Sequence, residues 1–180
     1  MNELNPEKLH RIQTSLPEFR ALDTIRNRKG LSPDDNRKWS RLYGELLSLF
    51  DAPLDFNAEQ REALRLPIRV RVNFTVNREQ FFTMSHDLSV GGVSVNLHHN
   101  LPLSTLASME IGLHSSRLLT LWRSKSFSVP GKVAWLSQRH NRIGFEFEDL
   151  STSQRLIIED HLYLQMENQL SLHTEPEPGS

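Results

Sequence analysis

Two clusters of side chains in this sequence have the chemistry to hold a nucleotide. Arg61 and Arg65 stand four residues apart just before Leu66-Pro67, and Asp87, Ser89 and Gly92 follow in the run Asp87-Leu-Ser-Val-Gly-Gly92. A planar guanidinium takes a phosphate through two parallel hydrogen bonds, or pairs with O6 and N7 of guanine, whereas lysine offers only a point charge. A carboxylate accepts from the N1 and N2 donors of guanine. A serine hydroxyl reaches a neighbouring polar atom, and glycine lets the backbone approach a flat base closely. Together the two elements read guanine plus phosphate.

The basic element is local. From Arg61 to Arg78 there are five arginines against the single acid Glu62, in a chain whose 21 basic and 22 acidic residues nearly cancel. Nothing in the total charge suggests a protein that coats nucleic acid or an anionic membrane. Arg65-Leu-Pro-Ile-Arg69 repeats the four-residue spacing and is the alternative pair to Arg61 with Arg65. Taken alone, the cluster reads as the solvated face of a strand, and Asp87 and Ser89 as turn residues bonded to their own backbone. The succession of the two elements is what favours a site.

The elements that must position these residues follow from periodicity. Asn5-Pro6-Glu7 starts a helix that a weaker pattern carries from Leu16 to Lys29, where Gly30 ends it. Ser32 caps a second helix, Pro33 occupies its first position, and Trp39, Leu42, Tyr43, Leu46, Leu49 and Phe50 share one face. Residues 1–51 therefore form a helical segment and 52–60 a connector. Beyond Leu66 the period becomes two: Val70, Val72, Phe74 and Val76 alternate with polar residues over Arg69 to Val76. Asn77-Arg-Glu79 turns into Gln80 to Leu88, and Gly91-Gly92 breaks the chain before Val93, Val95 and Leu97. Ser108 to His114, Leu118 to Arg123, Phe127 to Leu136 and Arg142 to Glu148 are further strand candidates. Ser151 or Ser153 caps a last helix able to close one end of the sheet, and 171–180 reads as a disordered tail. Short antiparallel strands without intervening helices indicate a small barrel or sandwich.

The arginine pair before the first strand and the Asp-x-Ser-x-x-Gly run after the second resemble the ligand-binding signature of PilZ domains. Gly131-Lys-Val-Ala-Trp135 and Ile143-Gly-Phe-Glu-Phe-Glu-Asp-Leu150, followed by a helix, look like that family's closing strands, so the resemblance spans roughly Gln60 to Leu170. It implies a mainly β protein: a six-stranded antiparallel barrel over 61–170 with its C-terminal helix, preceded by the N-terminal helices. It also implies a bacterial receptor for the second messenger cyclic di-GMP, acting in signal transduction to a protein partner in motility, biofilm or exopolysaccharide control. Arg61 and Arg65 would hold phosphates and a guanine edge, with Asp87, Ser89 and Gly92 completing the base pocket, and no cofactor or metal would be needed.

Other chemistries find less support. Ser85-His86-Asp87 has the residue types of a hydrolase triad, but consecutive strand residues point to opposite faces. His98-His99 fails as a metal pair on the same ground, and Gly131-Lys132 lacks the rest of a phosphate loop. We therefore expect no enzyme. The chain has no cysteine, its first residues lack the apolar stretch of a signal peptide, and no run suffices to cross a bilayer. A cytoplasmic protein without membrane insertion is the expectation. Trp135 sits at core spacing. Two alternatives share the fold: a ligand-independent interaction module, or a homodimer, using the Trp39 to Phe50 face; and a barrel binding single-stranded RNA through Arg69, Arg71 and Phe74. Too few outward aromatics favour the last, and no nucleic acid is expected.

Overall fold

The computed structural model describes residues 5–50, 63–98, 101–114 and 124–174. Arg61, the expected connector and the strand candidate Leu118 to Arg123 lie outside these. The chain divides into two compact units, one of Arg65–His161 and one of Met1–Leu64 with Leu162–Ser180.

The first unit is an antiparallel sheet of β1 (Arg65–Leu66), β2 (Arg71–Val76), β3 (Glu79–Ser89), β4 (Gly92–Asn96), β5 (Leu106–His114), β6 (Ser124–Ser137) and β7 (Arg142–Phe147). Its order is β1-β3-β2-β5-β6-β7-β4, and a further pairing of β3 with β4 closes six of the strands into a barrel. The alternation seen in the sequence fills the interior: Val72, Phe74 and Val76 point inward with Val93, Val95, Met109, Ile111, Ile143 and Phe145. Phe74 stacks on Phe81 at 4.9 Å and meets Phe145 at 5.0 Å. Asn77 and Arg78, both at positive φ, make the two-residue turn between β2 and β3, as strand twist favours.

The strand expected from Arg69 begins at Arg71, and a separate short strand precedes it. Pro67 has no N–H to give a ladder, so the chain pairs with β3 at Arg65↔Ser89 and Leu66↔Leu88, leaves the ladder, and rejoins it at Arg71↔Met84. Ser85 fills the gap from within: its hydroxyl donates to Ile68 O at 2.6 Å and accepts from Val70 N at 2.7 Å. Ser85 is thereby wholly engaged in structure.

In the second unit α1 (Pro6–Lys29) is capped by Asn5 and α2 (Pro33–Leu47) by Ser32, whose side chain accepts from Asp35 N. The stripe of α2 is not an open surface. Trp39, Leu42, Tyr43 and Leu46 are buried, and Trp39 stacks on Phe19 at 5.6 Å. α3 (Thr152–Thr174) begins in a reciprocal cap, Gln154 N bonding Ser151 Oγ while Ser151 N bonds Gln154 Oε1. It differs from expectation twice. Residues 171–174 continue the helix instead of opening a tail, and its second half, from Leu162, belongs with the N-terminal helices and not with the barrel. Among the described residues no helix is long and apolar enough to cross a membrane.

Asp23 is buried in this helical unit. It accepts from Trp39 Nε1 at 2.9 Å and from Tyr163 Oη at 2.6 Å. Burial pushes its carboxyl above the ordinary aspartate range, and the bonds from Tyr163 and Trp39 with the nearby charge of Arg26 offset this only in part. The folded state thus binds a proton that the unfolded state releases, so stability falls as pH rises from about 3.8 through the raised value. Asp23→Asn keeps an acceptor for both partners and is expected to remove this slope in pH-dependent thermal melts. Asp23→Ala strands two buried donors and should cost about 2–4 kcal/mol.

Candidate functional site

A β-bulge on β3 builds the site. The register with β4 runs Ser85↔Val95 and then Asp87↔Ser94, so His86 is the extra residue. Ser85 faces the interior, whereas Asp87 and Ser89 fall on the opposite side of β3 beside Ser94, where Ser89 and Ser94 are buried and Asp87 is half-buried. Ser94 Oγ donates to Asp87 Oδ2 at 2.7 Å. Arg65, opposite Ser89 in the ladder, brings Nη1 to 3.5 Å from Asp87 Oδ1. That contact is an ion pair longer than a hydrogen bond, and Asp87 Oδ1 is buried without a hydrogen-bond partner. One carboxylate oxygen is anchored. The other has acceptor capacity left.

Ser89 Oγ donates to Gly92 O at 3.2 Å across the tight turn at Val90-Gly91. Gly92 has no room for a side chain: a Cβ there would stand 2.1 Å from Phe145 O of β7. Four of the five residues singled out by the sequence, Arg65, Asp87, Ser89 and Gly92, therefore gather within a few residues of one strand end. The fifth, Arg61, precedes the described segment. Of the alternative pair, Arg69 is exposed in the segment between β1 and β2.

The sequence profile of the PilZ domain matches residues 59–164. The chain belongs to the PilZ family. Its barrel is the six-stranded antiparallel one that the resemblance implied. Comparison with curated protein sequences gave no match. Among solved structures, the Bacillus subtilis inhibitor of motility MotI/DgrA is similar at 16% identity and TM-score 0.47 over 59% of this chain, which spans about half (52%) of that one. The PilZ domain of Escherichia coli YcgR, solved with c-di-GMP, is similar at 13% identity and TM-score 0.47, over 64% of this chain and 99% of that one. Borreliella burgdorferi PlzA in complex with c-di-GMP is similar at 10% identity and TM-score 0.34, over 93% of this chain and 60% of that one.

Around the PilZ signature lie residues the sequence reading passed over. Arg142, at the start of β7, places Nη2 2.6 Å from His86 Nε2. His86 in turn faces Asp87, with Nδ1 3.7 Å from Oδ2. The bulge thus brings His86 and Asp87 to one side, contrary to the expectation that strand neighbours diverge; the triad reading fails instead on Ser85, which is buried and doubly bonded. Burial, the charge of Arg142 and that of Arg69 hold the His86 pKa below the ordinary histidine range, against the opposing pull of Asp87. Trp135 is a further correction. A second bulge, between Val133 and Trp135, takes its ring out of the core, and it lies over Gly144, where a Cβ would meet Trp135 Nε1 at 2.1 Å. No signal in the sequence marks either bulge, because register is set by the partner strand.

Proposed function

We propose that this PilZ protein is a receptor for cyclic di-GMP that couples the second messenger to a protein partner, in motility, biofilm or exopolysaccharide control. The observation that carries this reading is the Asp87 carboxylate, fixed by Ser94 through one oxygen and holding the other, buried and without a hydrogen-bond partner, beside Arg65. A guanine edge offers two donors to such an acceptor, and the phosphates suit the arginines of the preceding segment. Arg61, Arg65, Asp87, Ser89 and Gly92 are the residues assigned, with neither catalysis nor a cofactor, in a soluble cytoplasmic protein.

The alternatives lose the features that favoured them. The Trp39 face offered for an interaction module or a homodimer is buried within the helical unit, and Phe74, offered for base stacking, is buried in the barrel. Calorimetric titration with cyclic di-GMP, with GTP as a control for bare phosphate attraction, tests the proposal. Saturable binding that GTP does not reproduce is expected, and Arg65→Ala should weaken it by about 10–100-fold, since a charged hydrogen bond is worth roughly 1.5–3 kcal/mol. No heat of binding at tens of micromolar ligand would sink the receptor reading.

A further inference from the structure

Arg142 lies outside the paired motifs, and its position is informative. A guanidinium has donors only, so the 2.6 Å contact from its Nη2 requires that His86 Nε2 carry no proton. The neutral ring then bears its proton on Nδ1, towards Asp87. Arg65, Asp87, His86 and Arg142 form a row across β1, β3 and β7. Three buried atoms of that row, Asp87 Oδ1, His86 Nδ1 and Arg142 Nε, have no hydrogen-bond partner in the protein. They are half of the six such atoms among the described residues, and they concentrate where an anion with a guanine edge is proposed to bind.

We propose, resting on the receptor reading above, that Arg142 is a further ligand-binding residue, parked on neutral His86 in the free protein and transferred to a phosphate when the ligand binds. Parking is a weak hold for a guanidinium, because a neutral imidazole supplies one acceptor and no charge. A phosphate supplies both, with the paired geometry that arginine prefers. Transfer frees His86 Nε2 to take a proton. The charged groups that act on His86 are Asp87 on its own strand, Arg142 on β7 and Arg69 ahead of β2; the β4 residues paired on either side of the bulge, Ser94 and Val95, do not titrate. Departure of Arg142 and arrival of two negative charges both favour the imidazolium. Ligand binding and protonation of His86 therefore support one another, and affinity rises as pH falls through the histidine range.

The test is calorimetry with cyclic di-GMP at about pH 8 and about pH 6 on the parent protein and on Arg142→Gln, Arg142→Lys and His86→Gln. Arg142→Gln is expected to weaken binding about tenfold, and Arg142→Lys to recover part of that loss. The parent should bind several-fold more tightly at the lower pH and take up protons on binding, and His86→Gln should abolish both effects. Thermal melts report whether each variant is folded, and the lysine variant decides the matter if the glutamine variant is not. A parent that binds while folded Arg142 variants bind equally well overturns this inference and leaves the receptor reading intact. A parent that does not bind overturns both.

Discussion

Asp87→Ala is expected to weaken cyclic di-GMP binding by about 100-fold while leaving the protein folded. The carboxylate is held by Ser94, at 2.7 Å from Oδ2, so that Oδ1 can accept from the ligand without first being ordered. Losing one or two charge-assisted bonds of roughly 1.5–3 kcal/mol each corresponds to about 10–100-fold or more. The ion pair with Arg65 opposes this little. At 3.5 Å and part exposed to solvent it contributes no more than about 1 kcal/mol. The folding cost is moderate: the buried Ser94 hydroxyl loses its acceptor, about 1–3 kcal/mol. Asp87→Asn should behave similarly for the ligand, since an amide keeps the shape but gives up the charge. Calorimetry beside a thermal melt separates the two effects. A folded Asp87→Ala protein that binds like a binding parent would remove this carboxylate from the site.

Gly92→Ala is expected to damage the fold as well as the site. Its Cβ would meet Phe145 O at 2.1 Å, Phe145 C at 3.2 Å and Glu146 Cα at 3.3 Å, all backbone atoms of the strand to which Gly92 pairs. No rotamer relieves a clash with backbone. β4 and β7 must separate at the Gly92↔Glu146 pair, at a cost of about 2–4 kcal/mol, which would lower Tm by roughly 5–15 °C. Ligand affinity should fall with it, because the Gly92 carbonyl is the acceptor that fixes Ser89. Gly91→Ala makes the control. The nearest atom to a Cβ there is Ser89 Oγ at 3.8 Å, an ordinary contact, so its Tm should stay near that of the parent. Equal melting of the Gly92 and Gly91 variants would show that β7 yields at this crossing. In this chain the last residue of the signature is thus demanded by strand packing, before any base is considered.

The parts of the fold legible in the sequence are those that local chemistry decides. Asn5 and Ser32 bond the first amides of their helices as their residue types foretell, and the alternation from Val72 to Val76 gives a strand with one face in the core. Asn77 marked the turn. What was illegible depends on partners distant in sequence. His86 looks like one more alternating residue until β4 fixes the register, and the single-residue bulge then reverses the face of everything after it. Trp135 was misplaced in the core for the same reason. Arg142 carries no local mark at all, since its neighbour His86 lies on another strand. Asp23 resembles any acid on a helix, and only the folded chain brings Trp39 from α2 and Tyr163 from α3 against it. The short pairing of Arg65 and Leu66 with β3 was likewise unread, because its partners Ser89 and Leu88 lie more than twenty residues away.

The pairing of β3 with β4 has a consequence for how a partner protein can read this barrel. Among the described residues the closed ring of six strands has no unpaired edge, so strand addition, by which many domains capture an extended peptide, finds no template there. The exception among the described residues is β1, two residues long and paired there with β3 alone, where Arg65 stands. That ladder is too short to hold a peptide by main-chain bonds. Recognition by the proposed partner would then run through side chains, whose arrangement the proposed ligand could alter without disturbing the sheet beneath.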